Sequence, residues 1–430
     1  MYADGSRPRR VVVTGMGVVS PLGNSVTEFW EGLVRGASGI GYIEQCDTES
    51  IPVKVAGEVR GFDPTKYMSP KEARRIGRFC QFAMAAAHQA LSEAQLDMGR
   101  VNRDRVGLIV ANTMADLAAG SEQIQVFRDK GWARCDPLAA HRMFPYFATT
   151  TLSIMLGIPG HTSTCVMACS AGAQALGEAL NLLRLGRADV VICGGTEAWI
   201  TPIALSTFYL TGAMSRRSDP PHAVSRPFDT KRDGFVACEG AAMFVLEDVN
   251  YARSRAAPIR AELAGYAATS DASHPFVPKR DARELGRCIS LALEDANVEP
   301  DQIDYINAHG TATRLSDPAE TKAIKLAMGD HAYKVPVSST KSMIGHAVSA
   351  AGALEAVACV KSIETGVIHP TINLEFPDPL CDLDYTPANA RQLPVDTALK
   401  ISCAMGGHNA CLVFKRDGAQ HLLPPGGERE

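Results

Sequence analysis

The chain of 430 residues has twelve cysteines but no C-x-x-C pair. Most lie inside apolar runs such as VVICGG (190–195) and EAVACVKS (355–362). That spread excludes a zinc cluster or a disulfide framework and fits reduced core thiols in a cytosol. No metal site is expected. No apolar run reaches the roughly 18 residues a bilayer demands. The N-terminal MYADGSRPRR leads straight into strand-like VVVTG and lacks a signal-peptide core. A cytoplasmic protein that does not enter membranes is the expectation. The formal net charge of −4 gives no basic field for nucleic acid.

One motif is incomplete. TGMGVVSPLG (14–23) starts like a G-x-G-x-x-G fingerprint, but Ser20 stands where the third glycine belongs. No strand ending in Asp or Glu follows about 20 residues later. A dinucleotide site is excluded, and a tight turn using Gly15 and Gly17 is expected instead.

What is present is a large apolar fraction, 46%, and a chain that repeats itself. ALSEAQLDMGRVNRDRVGLIVANTMAD (90–116) matches ALEDANVEPDQIDYINAHGTATR (292–314) in plan: helix end, turn, strand, small-residue loop. CSAGAQALGEALNLLRLGRADVVICGG (169–195) matches HAVSAAGALEAVACVKSIETGVIHPTI (346–372): polar residue, Ala-rich helix, glycine turn, β-branched segment. The same modules in the same order indicate a duplicated α/β unit. Its Ala-rich helices belong between sheets. The halves are read as 9–255, carrying an insertion at 115–150, and 256–416. The Pro- and Gly-rich tail 417–430 is expected to be disordered.

Three polar stretches interrupt apolar surroundings. Cys169 stands before a helix in TCVMACSAGAQALGEAL (164–180), beside small residues expected to leave room for a pocket. A helix N-terminus favours thiolate, the reactive form, and offers N–H groups to an oxyanion. Ser170 is a candidate cap for that helix. Cys165, in strand-like TSTCVMA, reads as packing. His309 follows a β-branched strand in NAHGTATRLSDPAETKAI, and Lys341 and His346 lie in SSTKSMIGHAVSAAGALEA. A shared site built from these groups is expected.

These stretches, with RPFDTKRDGFVACEGAAMFVLE, resemble the motifs of elongating β-ketoacyl-acyl-carrier-protein synthases along roughly 9–416. The resemblance extends to type II polyketide ketosynthases. It implies the thiolase fold, an α/β architecture of duplicated αβαβα halves in a five-layered sandwich. It implies that Cys169 takes an acyl chain as a thioester, and that His309 and His346 assist decarboxylation of malonyl-carrier protein. Lys341 would support the histidines. Glu320 and Asp317 would hold the Lys341 region, and Glu355 would be a structural carboxylate near the pocket. No cofactor is implied beyond the carrier's phosphopantetheine. The implied partners are an acyl carrier protein and a second subunit, either identical or a chain-length-factor-like homologue.

Departures from the family pattern bear on the substrate. Where the family has N-S-F-G-F-G-G-T-N, this chain has SCAMGGHN (402–409), with Cys403 and Met405 in place of both phenylalanines. The resemblance implies that the Met405 N–H, beside Gly406, still completes an oxyanion hole, while gating of the acyl pocket is expected to change. Asn112, Thr113 and Met114 replace a glycine-rich pocket wall and add polar groups that need partners. A specialised polyketide or polyene chain is the expected substrate, with fatty-acid synthesis the other setting. Two rivals remain: a thiolase-like acyltransferase, suggested by Cys403, and an inactive chain-length-factor-like subunit. Lys71, Arg74, Arg75 and Arg78 at helical spacing form a cationic face for an acidic carrier, with Arg216 and Arg217 as further contacts.

Overall fold

The computed structural model describes residues 9–418. Residues of the expected disordered tail beyond 418 lie outside that range.

Ten strands form one sheet: β1 Val11–Val19, β2 Val106–Ala111, β3 Thr162–Cys165, β4 Val190–Glu197, β5 Gly240–Asp248, β6 Ala261–Ser270, β7 Tyr305–Asn307, β8 Val337–Ser338, β9 Thr397–Cys403 and β10 His408–Lys415. Their spatial order is β8-β7-β9-β10-β6-β1-β5-β4-β2-β3. From either edge the first five strands of each half run third, second, fourth, fifth, first. Even the directions repeat: β2 is parallel to β3 and β4, and β7 is parallel to β8 and β9. β4–β5 and β9–β10 are both antiparallel. The two halves join where β1 and β6 pair antiparallel, Val12 with Glu262 and Val13 with Ala261.

Six helices complete the layers: α1 Arg78–Glu93, α2 Tyr146–Leu156, α3 Ala171–Arg184, α4 Arg283–Ala296, α5 Ser316–Met328 and α6 Ala351–Thr365. Strand alternation sorts the side chains between layers. Leu108 and Val110 of β2 face the α1–α2 layer, while Ile109 and Ala111 face α3. Leu399 and Ile401 of β9 face α4 and α5, while Ala398 faces α6. The result is α1–α2, half-sheet, α3–α6, half-sheet, α4–α5. Strands buried on both faces explain the unbroken apolar runs such as VVVTGMGVV.

Three expectations change. Gly15 and Gly17 lie inside β1 rather than in a turn, and a Cβ on either would strike the backbone of α1 at Ala90 or Ala86. The small residues after Cys169 do not leave room: Ala171 and Ala173 are fully buried, and a Cβ on Gly172 would sit 2.5 Å from Ser349 O. The mirrored Gly352 would place a Cβ 2.6 Å from Ala173 N. Smallness here lets α3 and α6 touch. Finally, the segment after α6 does not match β4. Val367–Ile368 pairs only with Arg391–Gln392 in a separate two-stranded sheet. β9, after an inserted loop, is the true counterpart of β4. Among the described residues no helix is long and apolar enough to cross a membrane.

Candidate active site

The predicted residues gather at the carboxyl ends of strands, where open α/β sheets form their crevices. Cys169 sits in the turn Ala168–Ser170 between β3 and α3. His309 lies two residues past β7. Lys341 opens the short helix Lys341–Ile344 after β8, and His346 follows it. Met405 and Gly406 form the turn between β9 and β10. The duplication persists here. Ala168 and Val348, at equivalent places before α3 and α6, have left-handed φ of 46° and 45°. That conformation costs a non-glycine residue about 1–2 kcal/mol and is kept only where the surroundings impose it.

A cavity of about 530 Å³ is lined by Cys169, His309, His346, Met405 and Gly406, with Thr113 and Met114 on its wall. The backbone N–H groups of Met405 and Cys169 both point at the Cys169 sulfur. Two converging main-chain donors at a reactive sulfur make an oxyanion hole. A resting thiolate is not favoured, however. Burial pushes the thiol up to about 11, and the Lys341 charge and the two N–H groups only partly offset it. Nor does Ser170 cap α3: its hydroxyl donates backward to Met167 O at 3.0 Å.

The His309 and His346 rings lie 5.4 Å apart, centroid to centroid, at 87°. Burial first, then the Lys341 charge, holds both well below the usual imidazole pKa, so both are neutral at pH 7. The Lys341 ammonium donates to His309 O at 2.7 Å and to His309 Nδ1 at 3.3 Å. With Nδ1 accepting, the His309 proton sits on Nε2. Lys341 also pairs with Glu355 Oε1.

The acidic groups each have distinct partners. Glu320 holds the His309 loop, accepting from His309 N at 2.6 Å and Gly310 N at 2.8 Å. Asp317 lies further out, accepting from Phe228 N at 2.8 Å and facing Arg232 at 3.7 Å. Burial, opposed by Arg232, pushes it up to about 7. Glu355 does not line the cavity; it is buried between Lys341 and Lys400.

Asn112 also misses the cavity. Its Nδ2 donates to Thr196 O and Glu197 Oε1, each at 2.9 Å, and its Oδ1 accepts from Ala115 N at 3.0 Å. Its polar groups are therefore matched by the protein itself. Thr113 Oγ1 is buried without a partner. Two residues escaped the sequence reading. Glu197 braces the 112–114 loop through Met114 N at 3.1 Å and Thr113 N at 3.2 Å. Lys400 is fully buried in β9. A charged residue inside an apolar strand, LEU-LYS-ILE in register, was the available signal, since such a charge demands a partner.

The basic face is broken. The helix Pro70–Ala73 is one turn long, and α1 begins anew at Arg78. Lys71, Arg74 and Arg75 are exposed. Arg78 is committed inward, to Glu239 at 2.7 Å. Arg216 lines the cavity, and Arg217 lies 4.0 Å from Asp233.

Known proteins agree with this architecture. The family description "Beta-ketoacyl synthase, N-terminal domain" matches residues 8–252, and its C-terminal domain matches 260–375. The 3-oxoacyl-[acyl-carrier-protein] synthase 2 of Synechocystis sp. is 45% identical, over 95% of this chain and 98% of its own. The enzyme of that name from Coxiella burnetii is 41% identical, over 95% and 99%. The solved ishigamide ketosynthase/chain length factor matches at 36% identity, over 96% of this chain and 100% of that one, with a TM-score of 0.90. A type II PKS acyl-carrier protein in complex with its ketosynthase bound to the hexaketide matches at 36%, over 95% and 100%, with a TM-score of 0.88. The chain belongs to the β-ketoacyl synthase family.

Proposed function

We propose that the protein condenses an acyl group held on Cys169 with malonyl-acyl carrier protein, releasing carbon dioxide and giving a 3-oxoacyl-acyl carrier protein. The convergence of one thiol, two main-chain N–H donors and two neutral imidazoles on one cavity carries this reading. Cys169 Sγ attacks the incoming thioester carbonyl. The bond to the carrier sulfur breaks, and the carrier thiol leaves with the Cys169 proton. A malonyl thioester then enters, its carbonyl oxygen held by Nε2–H of His309 and by His346. Loss of carbon dioxide leaves the electron pair as an enolate, whose charge the imidazole donors stabilise as it appears. The enolate carbon attacks the Cys169 thioester, the new C–C bond forms, and the Cys169 sulfur leaves to take a proton from water.

The carrier's phosphopantetheine brings both substrates, so the reaction needs no further cofactor. Exposed Lys71, Arg74 and Arg75, with Arg216 at the cavity, suit an acidic carrier. A second subunit of this fold suits the edge strand β3 and the exposed Val166 and Met167 beyond it. Both identical subunits and a chain-length-factor-like partner fit that edge. Cys403 lines the same cavity, the observation behind a thiolase-like reaction. Burial holds its thiol well above the ordinary value, which suits packing better than proton transfer.

The substrate chain is read as specialised, now on Met405 and the unpartnered Thr113 hydroxyl rather than on Asn112. The test offers malonyl-carrier protein with acyl-carrier substrates graded in length, unsaturation and oxygenation. Carbon dioxide release coupled to 3-oxoacyl product, highest for unsaturated or oxygenated chains, is expected. A smooth optimum at saturated chains returns the protein to fatty-acid synthesis; acyl exchange without carbon dioxide loss replaces condensation with a thiolase-like reaction. No acylation at Cys169 leaves an inactive partner subunit.

A further inference from the structure

Lys400 is a second buried lysine that the condensation described above does not use. Strand alternation turns it, like Ala398, toward α6. Its ammonium lies 2.8 Å from Glu355 Oε2, while Glu355 Oε1 is held by Lys341. It also donates to Ile401 O. One carboxylate is thus shared by two lysines, all three side chains being 0–1% exposed.

We propose that Lys400 is a positioning residue for decarboxylation: through Glu355 it fixes Lys341 against His309 and keeps the buried site from carrying excess negative charge. The proposal rests on the condensation reading. Lys341 from its short helix and Lys400 from β9 act on both histidines, Glu355 from α6 joins the two lysines, and Glu320 from α5 holds the amides of His309 and Gly310. Arg216, Asp233, Asp271, Lys279 and Arg314 line the same cavity as the two rings. Cys169 and Cys403 are the titratable thiols beside them. With Lys400 the two lysines balance the two carboxylates. Without it, one carboxylate charge is uncompensated in a region of low dielectric, where an enolate must form. An excess negative charge works against that enolate. It also favours imidazolium over the neutral imidazole that the His309–Lys341 contact requires. The charges of Lys341 and Lys400 both add to burial in holding His309 and His346 low. For Cys169 the favourable cation is Lys341, not Lys400. Lys400 therefore matters more to decarboxylation than to acyl transfer.

The wild-type enzyme supplies the first measurement. Its malonyl decarboxylation should persist below the ordinary imidazole pKa of about 6.5, and an acid limb at or above that value overturns the proposal. Lys400→Met supplies the second. Acylation of Cys169 should stay within about threefold of wild type while decarboxylation at pH 7 falls by about tenfold or more. The acid limb should move up by about one pH unit, because loss of the cation raises the histidine pKa values. In Lys400→Ala, methylammonium should restore part of the rate. Equal losses in both half-reactions with an unmoved acid limb mean that Lys400 only packs, and overturn the proposal. A wild-type enzyme that never releases carbon dioxide removes the condensation reading itself, a separate failure.

Discussion

At the scale of single residues, Cys169 combines two opposed influences. Two main-chain N–H groups and Lys341 favour its thiolate, and burial opposes them with greater effect, leaving a thiol pushed up to about 11. The nucleophile is therefore generated as substrate binds rather than kept ionised. Iodoacetamide should label it with a rate that rises about tenfold per pH unit through pH 9, following the thiolate fraction. A plateau below pH 8 would reveal a resting thiolate and contradict this account. Cys169→Ser should abolish acyl-enzyme formation and labelling at this position, with residual reaction confined to the partly exposed Cys46, Cys135 and Cys403. Cys165→Ser should leave both largely intact, since Cys165 is buried in β3 and its thiol is pushed to about 12. The reactive groups were legible in the sequence because each interrupts an apolar run with a residue that has no packing role there. Their partners were less so. Nothing in one sequence says that Glu320 reaches back to the amides of His309 and Gly310. The partners of Lys400, on another strand and helix, are likewise contacts of high sequence separation.

At the scale of elements, the helices and the duplication were legible because their patterns are local: Ala-rich runs, glycine turns, β-branched strands. The equivalence of 367–372 with β4 failed because an inserted loop separates α6 from its real strand, β9, and β-branched composition alone cannot distinguish a two-residue edge pair from a core strand. The basic face failed similarly. Helical spacing was counted across Gly77, where the chain leaves one helix and starts another, so Arg78 turns inward. The small residues around Cys169 have a demanding role in holding α3 against α6. Gly172→Ala should destabilise the protein by about 1–3 kcal/mol, the usual cost of overpacking. The obstacle is the backbone oxygen of Ser349, so no rotamer change relieves it. Because α3 carries the Cys169 turn at its start, acylation should slow as well, with KM for the acyl donor little changed. Thermal unfolding and single-turnover acylation check both, and an unaltered melting temperature would mean that the helices can separate freely.

At the scale of the whole molecule, the proposed acidic carrier would meet a chain of net charge −4. Long-range attraction is therefore absent, and association depends on where the cations lie. The fold separates arginines that the sequence places together. Arg74 and Arg75 remain exposed, while Arg78 is joined to Glu239, Val59 O and the face of Phe82. The two groups should respond differently to charge reversal. Arg74→Glu with Arg75→Glu should raise KM for acyl-carrier protein by about tenfold at low salt, and added salt should shrink the difference between variant and wild type. Turnover of a small thioester mimic, which needs no docking surface, should be unchanged. Arg78→Glu should instead lower the melting temperature, because it leaves the buried Glu239 carboxylate without its half-buried partner and against a second carboxylate. Equal effects of the exposed pair on carrier-bound and small substrates would move the docking surface elsewhere, leaving Lys71, Arg216 and Arg217 as the remaining candidates to test.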